Sequence, residues 1–248
     1  MRLSNKVAVI TGGNSGIGFA TARAFVAQGA QVVLVGRRAG AVEAAVAALG
    51  TQAVGVIGDV ADLAAHEAVA AFVSERFGTA DIYVANAGAI RIQHSAEVGP
   101  SDYDAQFLVN ARATFFGVQK IIPVLRDGGA ILLTSSIASR KVLDGHAVYA
   151  GSKAAIEAFA RTWALELKDR RIRVNVLSPG PTDTPIIGKL GVSAEALPAF
   201  EAGVARTIPF GRLAEADDLA RAAVFLASDD SGFVTGINLA VDGGASLA

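Results

Sequence analysis

Val7-Ala8-Val9-Ile10-Thr11-Gly12-Gly13-Asn14-Ser15-Gly16-Ile17-Gly18 runs from a short apolar segment, through glycine-rich sequence, into a helix-like stretch that reaches Gln28. A continuous rather than alternating apolar run is what a strand buried on both faces requires. Glycines 12, 16 and 18 permit a tight turn, a close approach of backbone to phosphate and close helix–strand packing. The helix N-terminus that follows presents free N–H groups and the positive end of a dipole, which suits a pyrophosphate. The spacing is not G-x-G-x-x-G, and no Gly-Lys-Ser/Thr follows as a P-loop demands. A purely structural strand–helix turn is the alternative; the position after the first strand of a parallel sheet favours a nucleotide.

The same alternation continues outward from this stretch. Strand-like runs at Val32 to Val35, Val54 to Ile57, Ile82 to Ala85, Ala130 to Thr134, Arg173 to Leu177 and Ile237 to Val241 alternate with helical patterns at Ala41 to Leu49, Leu63 to Phe77, Ser101 to Ile122 and Ala154 to Leu167. The expectation is α/β: a single doubly wound domain over residues 1–248, with a seven-stranded parallel sheet and helices on both faces. The alternation lapses only between Pro179 and about Arg212, a stretch with four further prolines (Pro181, Pro185, Pro198 and Pro209). Long irregular segments of compact domains are usually lids or binding loops. Because this one leaves a strand end on the ligand side of the sheet, it is read as a substrate lid over about 181–212 rather than a surface excursion.

Composition narrows the function classes. The 248 residues are 52% hydrophobic with a net charge of −1, so one large core is available and nothing recommends a nucleic-acid partner. There is no cysteine, which excludes disulfides, thiolate metal sites and cysteine nucleophiles. No apolar run reaches the ~18 residues of a membrane span, and the N-terminus runs straight into a strand. A cytoplasmic protein without membrane association is expected. His66, His94 and His146 fit no metal or triad spacing, and His146 either lines a pocket or faces solvent.

Two further stretches suggest chemistry. Tyr149-Ala150-Gly151-Ser152-Lys153 sets a phenol and an ammonium four residues apart, on one face of a helix. A free tyrosine titrates near ~10, and a nearby cation would lower that value, making a group able to give a proton to a carbonyl oxygen or take one from an alcohol. After the second strand comes Gly36-Arg37-Arg38, where an NAD enzyme usually has Asp or Glu for the ribose hydroxyl. Guanidinium groups suit a 2′-phosphate, so NADP is expected over NAD. Asp59-Val60 would meet the adenine, unless Asp59 is simply the N-cap of the next helix. Asn86-Ala87-Gly88 lies on the same sheet edge.

Together these motifs resemble the short-chain dehydrogenase/reductase family over essentially the whole chain, and within it the bacterial NADPH-dependent secondary-alcohol dehydrogenases and carbonyl reductases. The family's T-G-x-x-x-G-x-G is met by Thr11 to Gly18, its N-A-G by Asn86 to Gly88, and its Y-x-x-x-K by Tyr149 and Lys153. The family's catalytic Ser precedes the Tyr by about thirteen residues, which selects Ser136 over Ser135. Asn110 matches the fourth catalytic position, and Ser178-Pro179-Gly180, with Thr182 and Thr184, matches the segment beside the nicotinamide. The resemblance implies a Rossmann fold, NADP(H) held by Gly12, Asn14, Ser15, Gly16, Ile17, Gly18, Arg37, Arg38, Asp59, Val60, Asn86, Ala87, Gly88, Tyr149, Lys153, Pro179, Gly180, Thr182 and Thr184, and catalysis by Asn110, Ser136, Tyr149 and Lys153.

In that reading Tyr149 protonates a carbonyl oxygen that Ser136 hydrogen-bonds, Lys153 acidifies the phenol and binds the ribose, and Asn110 holds a water leading to solvent. The bland readings are backbone satisfaction for Ser136 and a local bond for Asn110. The resemblance also implies a homotetramer, although the apolar helix Leu219 to Ala227 would suit a single core equally. The lid's apolar members (Ile186, Ile187, Leu190, Leu197 and Phe200) favour a small apolar carbonyl or secondary-alcohol substrate. The competing readings are a 3-oxoacyl-(acyl-carrier-protein) reductase, with Arg91, Arg140 and Lys141 as its docking cations, and a redox-sensing binding module with no catalysis.

Overall fold

The computed structural model describes residues 1–185, 192, 193 and 195–248. Seven strands form one parallel sheet: β1 (Val7–Thr11), β2 (Gln31–Gly36), β3 (Ala53–Ile57), β4 (Ala80–Ala85), β5 (Leu125–Thr134), β6 (Arg173–Pro179) and β7 (Asn238–Val241). Their order is β3-β2-β1-β4-β5-β6-β7. The strand runs are continuously apolar because successive side chains enter different cores. Ala8, Ile10, Val32, Leu34, Ile82, Val84 and Leu132 pack on one face. Val9, Val33, Val35, Tyr83, Ile131, Leu133, Val174 and Val176 pack on the other.

The first face is covered by α1 (Gly16–Ala27), α2 (Ala39–Leu49) and, late in the chain, α8 (Ala216–Ala227). The second is covered by α3 (Leu63–Phe77), α5 (Ala113–Ile121) and α6 (Ala147–Glu166), whose Ile156, Ala160 and Trp163 sit against β5 and β6. The expected doubly wound architecture therefore stands. Leu219 and Leu226 of α8 are fully buried against the chain's own sheet.

The helix carrying Lys153 spans Ala147–Glu166, so Tyr149 and Lys153 share it as expected, with Tyr149 in its first turn. Three local expectations are corrected. The helix expected over Ser101 to Ile122 is broken into α4 (Pro100–Phe107), a π-helical turn over Leu108–Arg112, and α5. Among its described residues, the stretch after Pro179 holds more regular structure than its prolines suggest. Thr182–Asp183 pairs in parallel with Ala214–Glu215, and α7 spans Leu197–Thr207. Pro198 lies in the first turn of α7, where a missing N–H removes no helical bond. Lastly, the N-cap of α3 is Asp62, whose carboxylate accepts from Ala64 N at 3.0 Å; Asp59 accepts from Ala61 N one turn earlier.

Candidate active site

β1 and β4 are neighbours, but the chain leaves β1 toward β2 and leaves β4 toward β5, on opposite sides. Such a switch point opens a crevice beyond the strands' carboxyl ends. Two loops line it, and Thr11 and Asn86 stitch them together. Thr11 Oγ1 accepts from Asn86 N at 3.0 Å and Ala87 N at 3.2 Å, while Asn86 Nδ2 donates to Thr11 O at 3.2 Å. Gly12 and Gly16 adopt φ of +64° and +51°, the left-handed region that glycine enters without strain. A Cβ on Gly18 would run into Gly12 O and stand 2.5 Å from Asn86 Nδ2.

The N-cap of α1 is Ser15, whose side chain makes no capping bond. The first-turn N–H groups of α1 therefore keep no side-chain partner and point into the crevice, a cradle that fits a pyrophosphate. At the β2 end, Asn14 Oδ1 lies 2.6 Å from where a Cβ on Gly36 would be. Arg37 and Arg38 follow, both exposed, and Arg37 Nη1 is 3.8 Å from Asp59 Oδ2. Val60 is half-buried beside it, and its carbonyl is bonded to His66 Nε2 at 2.8 Å.

On the other side of the crevice the expected catalytic set comes together. Ser136, at the end of β5, is in the extended conformation and caps a short 3-10 turn by accepting from Ala138 N at 3.1 Å. Tyr149 is half-buried, and the Ser136 hydroxyl is close enough to its phenol to draw the phenol's pKa down. Lys153, one turn on, is 3% exposed and donates from Nζ to Thr134 O at 2.8 Å. A Cβ on Gly88 would stand 3.3 Å from both Lys153 Nζ and Asn110 Oδ1, so a larger residue there would crowd both groups.

The electrostatics depart from expectation. Burial pushes the Tyr149 phenol up from its ordinary value, and only the Ser136 hydroxyl pulls it back. Lys153 does not acidify it here: Nζ is 5.9 Å from the ring centroid, and burial pushes Lys153 itself down to about 8. Two desolvated groups without a counter-ion are each held toward their neutral forms, which spacing along a helix does not reveal.

Asn110 is fully buried in the π-helical turn. Its Oδ1 accepts from Ala89 N at 2.8 Å, and its Nδ2 donates to Ala89 O at 2.8 Å and to Ser152 Oγ at 2.9 Å. Both amide hydrogens are thus spent on protein, and the side chain has no donor left for the water assigned to it. Its visible work is to fasten the β4 loop and α6 to the broken helix. Such π-turns often mark functional sites.

A single cavity of about 550 Å³ joins the two halves. Gly12, Ser15, Gly16, Ile17, Asn86, Ala87 and Gly88 line one side of it, with Ser136, Tyr149 and Lys153 opposite. Pro179, Gly180, Thr182 and Thr184 line it as well, and Thr184 comes within 3.4 Å of the Cβ position of Gly16. Asn14, Gly18, Arg37, Arg38, Asp59, Val60 and Asn110 do not line it. Gly18 and Asn110 shape its walls from behind, and the others sit at the outer ends of β2 and β3.

Beyond Tyr149 the cavity is apolar, walled by Ile92, Ile137, Leu143, Phe200 and Val204, with His146 and Lys141 at its margin. Ile186, Ile187 and Leu190 lie outside the described residues. Lys141, expected as a docking cation, instead donates to Ala245 O at 2.5 Å and Ala248 O at 2.6 Å, and Ala245 packs with Ile137 and Ile208. Glu157, which the sequence did not single out, is a buried carboxylate next to the Ser136 segment.

A family model described as enoyl-(acyl carrier protein) reductase matches residues 12–246. The chain belongs to the short-chain dehydrogenase/reductase family. This short-chain dehydrogenase/reductase is 38% identical to versicolorin reductase 1 of Aspergillus parasiticus over 259 residues, spanning 98% of this chain and 97% of that one. It is 37% identical to D-threitol dehydrogenase of Mycolicibacterium smegmatis over 251 residues, 99% and 95% of the two chains. Among solved structures, 3-ketoacyl-(acyl-carrier-protein) reductase from Brucella melitensis, complexed with NADH, superposes with a TM-score of 0.91 at 33% identity, covering 98% of this chain and 99% of that one. The family is one of oxidoreductases. Among the described residues no helix is long and apolar enough to cross a membrane, and no His/Asp/Glu group could hold a metal ion.

Proposed function

We propose that this chain is an NADPH-dependent carbonyl reductase that converts apolar ketones or aldehydes to alcohols and runs backwards on secondary alcohols. The observation that carries the reading is that Ser136, Tyr149 and Lys153 line the same cavity as the glycine turn. The bound nicotinamide supplies the hydride that a carbonyl carbon accepts. Tyr149 gives its phenolic proton to the carbonyl oxygen, and Ser136 Oγ hydrogen-bonds that oxygen as charge develops on it. A phenol whose pKa is raised by burial keeps its proton until that charge appears, so it enters reduction in the donor form. Lys153 Nζ, with one bond to Thr134 O, has donors left for ribose hydroxyls and for returning a proton to Tyr149. The first-turn N–H groups of α1, with Ser15, Gly16 and Ile17, hold the pyrophosphate. Pro179, Gly180, Thr182 and Thr184 hold the carboxamide side, and residues 181–212 serve as the lid.

Arg37 supports NADPH over NADH. It is exposed at the end of β2, where no carboxylate of its own strand repels a 2′-phosphate, and its ion pair with Asp59 at 3.8 Å is loose. The carrier-protein reading gains less support. Its three candidate cations already have partners in the chain: Arg91 with Asp102, Arg140 with Glu157, and Lys141 with two backbone carbonyls. The apolar walls favour a bulky apolar carbonyl compound.

The test is Tyr149→Phe, assayed with NADPH and NADH against aryl ketones, short polyol-derived ketones and an acetoacetyl thioester. Loss of a positioned general acid costs about 10²- to 10⁴-fold in turnover, with NADPH binding unchanged by fluorescence titration. A variant that keeps most of its turnover refutes the proposal.

A further inference from the structure

Carboxylates are rarely fully buried unless paired, and Glu157 is 6% exposed. It continues the stripe that begins with Tyr149 and Lys153, at i+4 and i+8 along α6. It does not line the cavity, so it touches neither substrate nor cofactor. Its partners are instead the residues that flank Ser136. Ser139 Oγ bonds Glu157 Oε1, Ser135 Oγ lies 3.3 Å from the same oxygen, and Arg140 Nε donates to Oε2 at 2.9 Å. The two serines also reach backbone carbonyls: Ser135 Oγ that of Lys153 at 3.1 Å, and Ser139 Oγ that of Ser136 at 2.6 Å. Burial pushes the Glu157 carboxyl up, but Ser139, Arg140 and Asn238 together outweigh it and hold it below the usual range, as an anion.

We propose that Glu157 is a positioning residue, whose carboxylate clamps both shoulders of Ser136 and so sets the distance between Ser136 Oγ and Tyr149. Ser139 and Arg140, three and four residues after Ser136, donate to the anion, and Ser135, one residue before it, lies 3.3 Å from the same carboxylate while sharing its single proton with the nearer Lys153 carbonyl at 3.1 Å. The segment after the β5 end is thereby fastened to the helix that carries the proton donor. The bonds are charge-assisted and the Glu157 carboxylate itself is buried, so they restrict the segment more than neutral bonds would, although the Arg140 guanidinium stands exposed. The inference rests on the reading of Ser136 and Tyr149 given above.

The experiment is Glu157→Gln, alone and combined with Ser136→Ala, beside Tyr149→Phe, using NADPH and the ketone turned over fastest in the panel. Glutamine keeps the shape but turns an N–H group toward either Arg140 or the serines. Misplacement of Ser136 by a fraction of an ångström is expected to lower kcat by about 10- to 100-fold, with the Kd for NADPH and the KM for ketone little changed. In the Ser136→Ala background the second substitution should cost less than about threefold, because residues acting through one another are not additive. Should Glu157→Gln fail to fold, Arg140→Ala, which removes an exposed guanidinium, carries the same test, with a kcat loss of about three- to tenfold expected. Full kcat in these variants beside an inactive Tyr149→Phe overturns this inference alone, as do losses that multiply independently in the double variant. Full turnover in Tyr149→Phe overturns it together with the carbonyl-reductase reading.

Discussion

Lys153 offers the sharpest test of how the site is held. Its ammonium is 3% exposed, has one bond to Thr134 O, and is pushed by burial from an ordinary value of 10.5 down to about 8. That fall corresponds to roughly 3 kcal/mol of instability carried by the charged form at neutral pH. Lys153→Met removes the charge but leaves the Thr134 carbonyl unpaired, at a cost of about 1–2 kcal/mol. The variant, with no dinucleotide added, should therefore be more stable than the parent at pH 7 by about 1–2 kcal/mol, a rise in Tm of about 2–8 °C for a chain of this size. The pH dependence has a definite sign. Between pH 8 and 10.5 the unfolded parent chain holds a proton on this residue that the folded chain does not, so the parent gains stability as pH rises through that window. The variant has no such gain, and its advantage should shrink to nothing or reverse by about pH 10. Differential scanning calorimetry of both proteins from pH 7 to 10 reads this directly. A variant that is less stable at pH 7, with a difference that does not move with pH, would refute the picture of a catalytic ammonium held against its own desolvation.

Two other outcomes concern the cofactor and the assembly. Arg37→Ala should lower kcat/KM for NADPH by about 10-fold or more while changing that for NADH little, because only the 2′-phosphate meets the guanidinium; equal losses with both dinucleotides count against the proposed preference. The homotetramer that the family resemblance implies should scatter light at about 100 kDa, four times the 25.2 kDa chain. A monomer mass refutes it.

What was legible in the sequence is what periodicity and local chemistry fix. The runs at Val7 and Val32 could only be strands buried on both faces, and the glycine turn after Thr11 could only sit at a strand–helix junction. The Tyr149–Lys153 stripe needed nothing beyond helical spacing. What escaped is set by tertiary contacts. The π-turn at Asn110 exists where its side chain clamps Ala89 and Ser152, residues 21 and 42 positions away. Pro198 reads as a breaker until its place in the first turn of α7 is known. Lys153 was expected to acidify Tyr149, because pairwise spacing carries a Coulomb attraction but no information on how much water both groups lose. Glu157 was silent for a related reason: a glutamate in an alanine-rich helix looks like a solvated face until Ser135, Ser139 and Arg140 are seen around it.

These placements bear on how one chemistry can serve different substrates. Ser136, Tyr149 and Lys153 are carried by the end of β5 and the first two turns of α6, which the Glu157 anion and the Asn110 amide tie to each other and to the β4 loop. The outer wall of the cavity comes from other pieces of chain: Phe200 and Val204 on α7, Leu143 before α6, and Ala245 held by Lys141. These contribute few bonds to the inner set. In the proposed reading, a change in the outer wall alters which carbonyl compound fits, without moving the proton donor relative to the glycine turn. In that reading one arrangement of Ser136, Tyr149 and Lys153 can serve carbonyl compounds of different shape, because function resides in the site rather than in the fold.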